Sequence, residues 1–242
     1  MKPQSLSELS AWIAQDPVLA QVHAFVAQRF GGPGHDPGHD LSHFMRVAFW
    51  TLKLAEEIPQ APQNSINARE IVAAALLHDI VPIAKDSPLR KEASRLCAEE
   101  AARVLPAMGF SKAAVENIAD AIRCHSFSRG EAAKTPLAQA LQDADRLEAL
   151  GTIGIMRCIS TGARMGAEYF EGADPWASSR ALDDRAYSVD HFFTKLLKLH
   201  ASMNTKAGRR EARKRTRIMQ DFLRCLGEEL AQPVPPARIE IT

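Results

Sequence analysis

Signals that start a helix recur along this chain, while signals that make a strand hardly appear. "SLSE" sets Ser5 and Glu8 at the spacing of a capping box, and "NARE" repeats that spacing with Asn67 and Glu70. "DPVLAQVHAFVAQRF" opens with Asp16 as N-cap and Pro17 in the first helical position, where its missing N–H costs nothing. "TPLAQALQ" begins with Thr135 and Pro136, and "SVDHFFTKLLKLH" carries apolar residues at helical intervals. Alternating runs joined by Asn-Gly or Asp-Gly turns are absent. These patterns predict an all-α protein, a helical bundle of about ten helices.

Two stretches interrupt the helices. "FGGPGHDPGHD", residues 30–40, is too rich in Gly and Pro to be anything but loop, and its last residue, Asp40, is placed to cap the helix built by "LSHFMRVAFWTLKLAEEI". Residues 169–187, "YFEGADPWASSRALDDRAY", form a second loop whose aromatic residues suggest that it packs on the body of the protein. The tail, "PVPPARIEIT", reads as a loose extension.

Against this helical background, "AALLHDIVP" at residues 74–82 stands out, because an apolar run ends directly in His78 and Asp79. Burying a carboxylate beside an imidazole without compensation costs several kcal/mol, so both need partners. Other metal-type side chains also stand at the edges of apolar helices: His39 and His43 in "GHDLSHFMRV", His125 in "IRCHSFS", and Asp143 and Asp145 in "LQDADRLEALG". Imidazoles and carboxylates brought together by a bundle make a mixed nitrogen and oxygen site. Such a site suits Mn²⁺, Fe²⁺, Ni²⁺, Co²⁺ or Zn²⁺ better than the all-oxygen cage that calcium takes.

Asp143 and Asp145 cannot both face one point from a regular helix, since two residues turn the side chain by ~200°. The stripe through Leu141 and Ala149 differs only slightly from the one through Gln139 and Leu147, so spacing leaves the choice open.

In order and spacing, "HDLSHFMRV", "ALLHD", "HSFS" and "DADRL" resemble the HD-domain metal-dependent phosphohydrolases, and the likeness runs over roughly residues 20–230. The resemblance implies that His43, His78, Asp79 and Asp145 hold a divalent cation, Mn²⁺ first and Fe²⁺, Ni²⁺, Co²⁺, Zn²⁺ or Mg²⁺ as alternatives. Asp143 is then a cap or a support behind the ligands. The resemblance also implies that His125, Lys85 and Arg90 serve catalysis and substrate phosphates, with Asp79 beside them; His39, in the loop or first turn just before Asp40, is expected to bind substrate or to support the ligands from behind. Lys91 adds to the same basic segment. "DPWASSRALDDRAYSVDHFFTKLLKL" and "MNTKAGRREARKRTRIMQDFL" look like the C-terminal part of a bacterial branch that includes deoxynucleoside triphosphate pyrophosphatases.

The implied organisation is a single domain over residues 1–232, with a metal-binding core at about 20–165, a C-terminal helical part at about 166–232 and a tail at 233–242. The implied activity is hydrolysis of deoxynucleoside or nucleoside triphosphates to monophosphate and pyrophosphate. A phosphomonoesterase or phosphodiesterase acting on another small phosphorylated metabolite is the alternative. One departure bears on this choice: Pro82 occupies the position three residues after the doublet's Asp, where HD-type 5′-nucleotidases carry a water-activating Glu.

Charge decides little about partners, because 30 basic side chains face 29 acidic ones. The basic segment "KAGRREARKRTR" at 206–217 raises a nucleic-acid-binding helical protein as the rival reading. Its apolar continuation, Ile218, Met219, Phe222, Leu223 and Leu226, reads more simply as a helix packed on one face and solvated on the other, so no nucleic-acid partner is expected. A membrane partner is not expected either, since no apolar run approaches ~20 residues and "MKPQSLSELS" lacks a signal-peptide core. Cys97, Cys124, Cys158 and Cys225 form no CxxC pair, which fits free thiols in the cytoplasm.

Overall fold

The computed structural model describes residues 3–31, 38, 40–59, 67–83, 87–126 and 131–239, with the side chain of Arg90 also left aside. Among them are eleven α-helices and no strand, apart from one isolated bridge between Glu168 and Tyr187. The expectation of an all-α protein of about ten helices is therefore met.

The caps act much as their residue types dictate. Ser5 accepts from the N–H of Glu8 (3.2 Å) at the head of α1 (Leu6–Gln15), and Asp16 accepts from Val18 and Leu19 (3.0 and 3.3 Å) at the head of α2 (Pro17–Phe30). Asp40 accepts from the N–H of His43 (2.9 Å) and so starts α3 (Leu41–Glu56), while Asn67 accepts from Arg69 (2.9 Å) to start α4 (Ala68–Leu77). Neither capping box closes as drawn. The Glu8 carboxylate reaches the N–H of Gln4 rather than Ser5, and Glu70 takes the side-chain amide of Asn117. The remaining helices are α5 (Ala93–Val104), α6 (Lys112–Cys124), α7 (Pro136–Leu147), α8 (Gly151–Arg164), α9 (Asp190–Thr194), α10 (Lys206–Glu229) and α11 (Pro236–Ile239).

The chain groups into two compact units: residues 1–145 with 204–206, and residues 146–203 with 207–242. In the first unit α4 is the central helix, packed by α2, α3, α5 and α6. Every residue from Ile71 to Leu77 is buried, as expected for a helix that is apolar all round. Leu76 and Leu77 are fully buried, each contributing about 1.5–3 kcal/mol of apolar burial. The apolar run before His78 is thus the spine of the unit, and it carries the doublet to the end of a helix that other helices surround.

In the second unit α10 buries Ala207, Ala212, Thr216, Met219 and Leu223 on one face, while Arg213, Lys214 and Arg217 are exposed. The loop at 169–187 is ordered by charge: Asp190, fully buried, takes both guanidinium nitrogens of Arg180 (2.6 and 2.9 Å) and the N–H of Asp183 (2.7 Å). Trp176 from this loop is buried and donates to the Gln232 carbonyl (2.8 Å). Residues 234–239, expected to belong to a loose tail, pack on the same unit. Val234 and Ile239 are buried, the Gln220 amide donates to the Ile239 carbonyl, and Arg238 donates to Ala177 (2.5 Å). Two buried apolar side chains and two hydrogen bonds to distant residues hold this short segment down.

Candidate metal centre

All the residues of this centre lie in the first unit. Its geometry begins with two helix ends. The Asp40 cap sets where α3 starts and leaves His43 in its first turn, turned inward and fully buried. At the other end of the paired helix, His78 is the C-cap of α4, also fully buried, with Asp79 following it.

His78 Nδ1 lies 2.7 Å from the carbonyl of Ala75, and His125 Nδ1 lies 2.5 Å from that of Ile122. A carbonyl can only accept, so Nδ1 carries a proton in both rings and Nε2 is the atom left to take a further proton or a cation. Helix geometry explains the repetition. A histidine at a helix C-terminus can turn back to the carbonyl three residues earlier, in the last turn where carbonyls lose their usual partner four residues on; at Ile122 that carbonyl also accepts the His125 N–H (3.3 Å).

The Nε2 atoms converge with carboxylate oxygens. His43 Nε2 is 3.3 Å from His78 Nε2, and Asp145 Oδ1 is 3.9 Å from the first and 3.7 Å from the second. Asp79 stands on the other side of His78, with Oδ2 3.8 Å from His78 Nε2 and Oδ1 3.4 Å from His125 Nε2. His78 is therefore shared by two groups, His43–His78–Asp145 and His78–Asp79–His125, whose donor atoms lie within 4.8 Å of one another in each. The His78 ring has those of His43 and His125 as neighbours at centroid distances of 5.2 and 5.0 Å, and Phe44 at 5.4 Å.

The donor set fits a divalent cation. Two imidazole lone pairs aimed at each other repel unless a proton or a cation lies between them. Ligands about 2.1 Å from a common ion stand about 3.0–3.4 Å apart in octahedral or tetrahedral arrangements, close to the separations found here. Burial disfavours a charged His78, but the nearby Asp145 carboxylate and the charge of Asp79 outweigh it and raise its pKa to about 9. Burial likewise works against an ionised Asp145, yet His78, with the charges of His125 and His43, holds that carboxyl well below the usual range. The site is built to keep carboxylates ionised and a positive charge among them.

Asp143 points elsewhere. It is fully buried, and its carboxylate accepts from the N–H and side-chain amide of Asn204 (2.8 and 2.9 Å) and from the N–H and hydroxyl of Thr205 (2.8 and 2.8 Å). The ~200° between successive alternate residues of a helix sends Asp145 to the histidines and Asp143 to this segment. Of the other residues singled out from sequence, His39 and Lys85 lie outside the described residues, as does the Arg90 side chain, whose backbone is in the 3₁₀ turn Pro88–Glu92. Lys91 in the same turn is exposed. The polar residues that sequence reading passed over are Gln142, Asn204 and Thr205. Only Thr205 carried a local sign, a hydroxyl just ahead of α10.

Comparison with known proteins bears on the same segment. A family model described as HD domain matches residues 40–150, which span His43 to Asp145. The uncharacterized protein YpgQ of Bacillus subtilis is 32% identical over 197 residues, covering 80% of this chain and 85% of YpgQ. The crystal structure of YpgQ in complex with ADP superposes with a TM-score of 0.63 at 25% identity, covering 87% of this chain and 96% of that one. An HD-superfamily hydrolase from Bacillus thuringiensis gives a TM-score of 0.62 at 28% identity over 88% of this chain and 97% of its own.

Proposed function

This chain belongs to the HD-domain superfamily and is a phosphohydrolase of that type; from that premise we propose that it hydrolyses deoxynucleoside or nucleoside triphosphates to monophosphate and pyrophosphate. A divalent cation, Mn²⁺ before Fe²⁺, Ni²⁺, Co²⁺, Zn²⁺ or Mg²⁺, is held by His43, His78, Asp79 and Asp145. The observation that carries the reading is the convergence of imidazole Nε2 atoms and carboxylate oxygens at 3.3–3.9 Å, in a setting that stabilises positive charge. That a related protein was crystallised with ADP supports a nucleotide as the ligand class. Pro82, standing where the 5′-nucleotidases have Glu, weighs against a monophosphate.

When bound, the cation supplies Lewis-acid polarisation of a phosphoryl oxygen and makes a water molecule a stronger acid. The protein's own groups do the rest. Asp79 accepts the proton that the attacking water loses, and His125, 3.4 Å away through Nε2, takes it on. Once protonated, His125 donates from Nε2 to a phosphate oxygen while Nδ1 keeps its bond to Ile122. Lys85 and Arg90, with His39, hold the outer phosphates, Arg in the bidentate manner suited to phosphate. Phosphoryl transfer asks for positioning and positive charge rather than a covalent nucleophile, which this set of side chains supplies. The four free cysteines support a cytoplasmic setting, and no described helix is long and apolar enough to cross a membrane.

The test is a panel of nucleoside mono-, di- and triphosphates and bis-p-nitrophenyl phosphate, assayed with several metals and read by product chromatography. Pyrophosphate and monophosphate from triphosphates are expected. Orthophosphate from monophosphates, with triphosphates untouched, would replace this reading with the phosphomonoesterase one.

A further inference from the structure

Beside the metal-type cluster lies a second buried polar assembly, centred on Gln142 and Asp143. Gln142, on α7 and only 2% exposed, donates from Nε2 to the carbonyl of Cys124 at 2.7 Å. Its Oε1 accepts from Nδ2 of Asn204 at 2.8 Å. That same Asn204 nitrogen donates to Asp143 Oδ1, so its two hydrogens serve neighbouring residues of α7. Thr205 and the Asn204 backbone complete the coordination of the Asp143 carboxylate.

The positions of these bonds are what matter. Cys124 is the last residue of α6, and its carbonyl is one of those a helix end leaves without a partner. The next residue is His125. Gln142 stands three residues before Asp145, close to one turn of α7. A single side-chain amide thus ties the end of α6 that presents His125 to the helix that presents Asp145. Asn204, 62 residues further along the chain, locks that amide in its rotamer. We propose that Gln142 and Asn204 are positioning residues, a clamp that sets the placement of His125 relative to Asp145 and so the width of the site for the cation and phosphate. An amide is suited to the task because it donates to one helix end and accepts from the locking residue at once, and a charged group here would alter the field at the site.

The inference rests on the phosphohydrolase reading for its functional consequence but not for its geometry, and the experiment separates the two. Gln142→Met keeps the length of the side chain and removes its hydrogen bonds to Cys124, Asn204 and, at 3.5 Å, the Glu131 carbonyl, while Asn204→Ala removes the lock. Leu9→Ala, in α1, which carries none of the site residues, serves as a control for general loss of stability. For each protein, Mn²⁺ affinity, kcat and KM on the substrate found in the panel, and the imidazole NMR resonances of the metal-free chain are measured. Gln142→Met and Asn204→Ala are expected to weaken Mn²⁺ binding about tenfold or more and to lower kcat about 10–100-fold with a smaller change in KM. The double variant should be little worse than either alone. Both variants should shift the His125 resonances, and Leu9→Ala should leave them in place. Wild-type Mn²⁺ affinity in Gln142→Met, or unmoved His125 resonances in both variants, would overturn the clamp. Should Gln142→Met fail to fold, Asn204→Ala decides. A wild-type chain that takes up no Mn²⁺ would overturn the metal reading instead, and the His125 resonances would still decide the clamp.

Discussion

His43 and His78 face each other through their Nε2 atoms at 3.3 Å, although 35 residues separate them in the chain. Without a cation, a proton has to occupy that region, and His78 is the residue whose pKa is raised to about 9, burial being outweighed by Asp145 and Asp79. At neutral pH an incoming cation must therefore displace about one proton. Titration calorimetry of Mn²⁺ in two buffers of different ionisation enthalpy should report that release. Because proton and cation compete, affinity should rise with pH until about 9. Equal heats in the two buffers would contradict it.

Cation binding should also stabilise the fold. At a concentration 100 times Kd the gain is about 2.7 kcal/mol, lost again on adding a chelator. Thermal melts with and without Mn²⁺ measure it. His78→Ala and Asp145→Asn should each abolish the shift, and either variant keeping it would remove that residue from the ligand set.

The two aspartates of α7 should behave differently. Asp143 is buried under four donors with no metal-type neighbour among them, so Asp143→Ala should cost stability, about 3 kcal/mol or more, by orphaning those donors. Asp145→Asn keeps those four bonds, and should instead lose the Mn²⁺-dependent gain in stability that Asp143→Ala retains. The reverse pattern in chemical denaturation with and without Mn²⁺ would show that the two roles are exchanged.

Beneath the histidines, Phe44 is fully buried, in edge contact with Phe30 (4.9 Å between centroids) and with the His78 ring (5.4 Å). Phe44→Ala should destabilise the protein by about 3–5 kcal/mol and loosen His78 with it. Urea denaturation gives the first effect, and a weaker Mn²⁺ affinity the second.

Glu100 accepts from Arg103 and Arg29 (2.7 and 2.8 Å), which lower its pKa to about 2 against the opposing pull of partial burial. A depressed carboxylate pKa contributes stability above the unfolded-state value, lost as pH falls through the folded one. Both arginines are solvent-facing, so screening limits the contribution to about 1 kcal/mol. Glu100→Gln should therefore be less stable than wild type at pH 7 by about that amount. The gap should close between pH 4.5 and about 2. A gap constant over that range would show that the carboxylate's charge is not its source.

What could be read along the chain is what depends on neighbours within a few residues. Asp16, Asp40 and Asn67 cap their helices because a side-chain oxygen reaches an N–H two or three residues on, whereas the central place of the apolar run before His78 comes from the helices packed around it. The opposed directions of Asp143 and Asp145 follow from helix pitch alone. Which of the two meets the histidines does not: only the docking of α7 in the first unit turns Asp145 to His43 and His78 and gives Asp143 to Asn204 and Thr205. The same holds for Gln142, ordinary in sequence and set apart only by the Cys124 carbonyl and Asn204 amide that the fold brings to it. The ordering of the loop at 169–187 around Asp190, and of residues 234–239 by Val234 and Ile239, is likewise a matter of long-range partners. A local pattern specifies the conformation of a segment; the partners of a buried polar group are supplied by whichever distant segments the packing of the core brings within hydrogen-bonding distance.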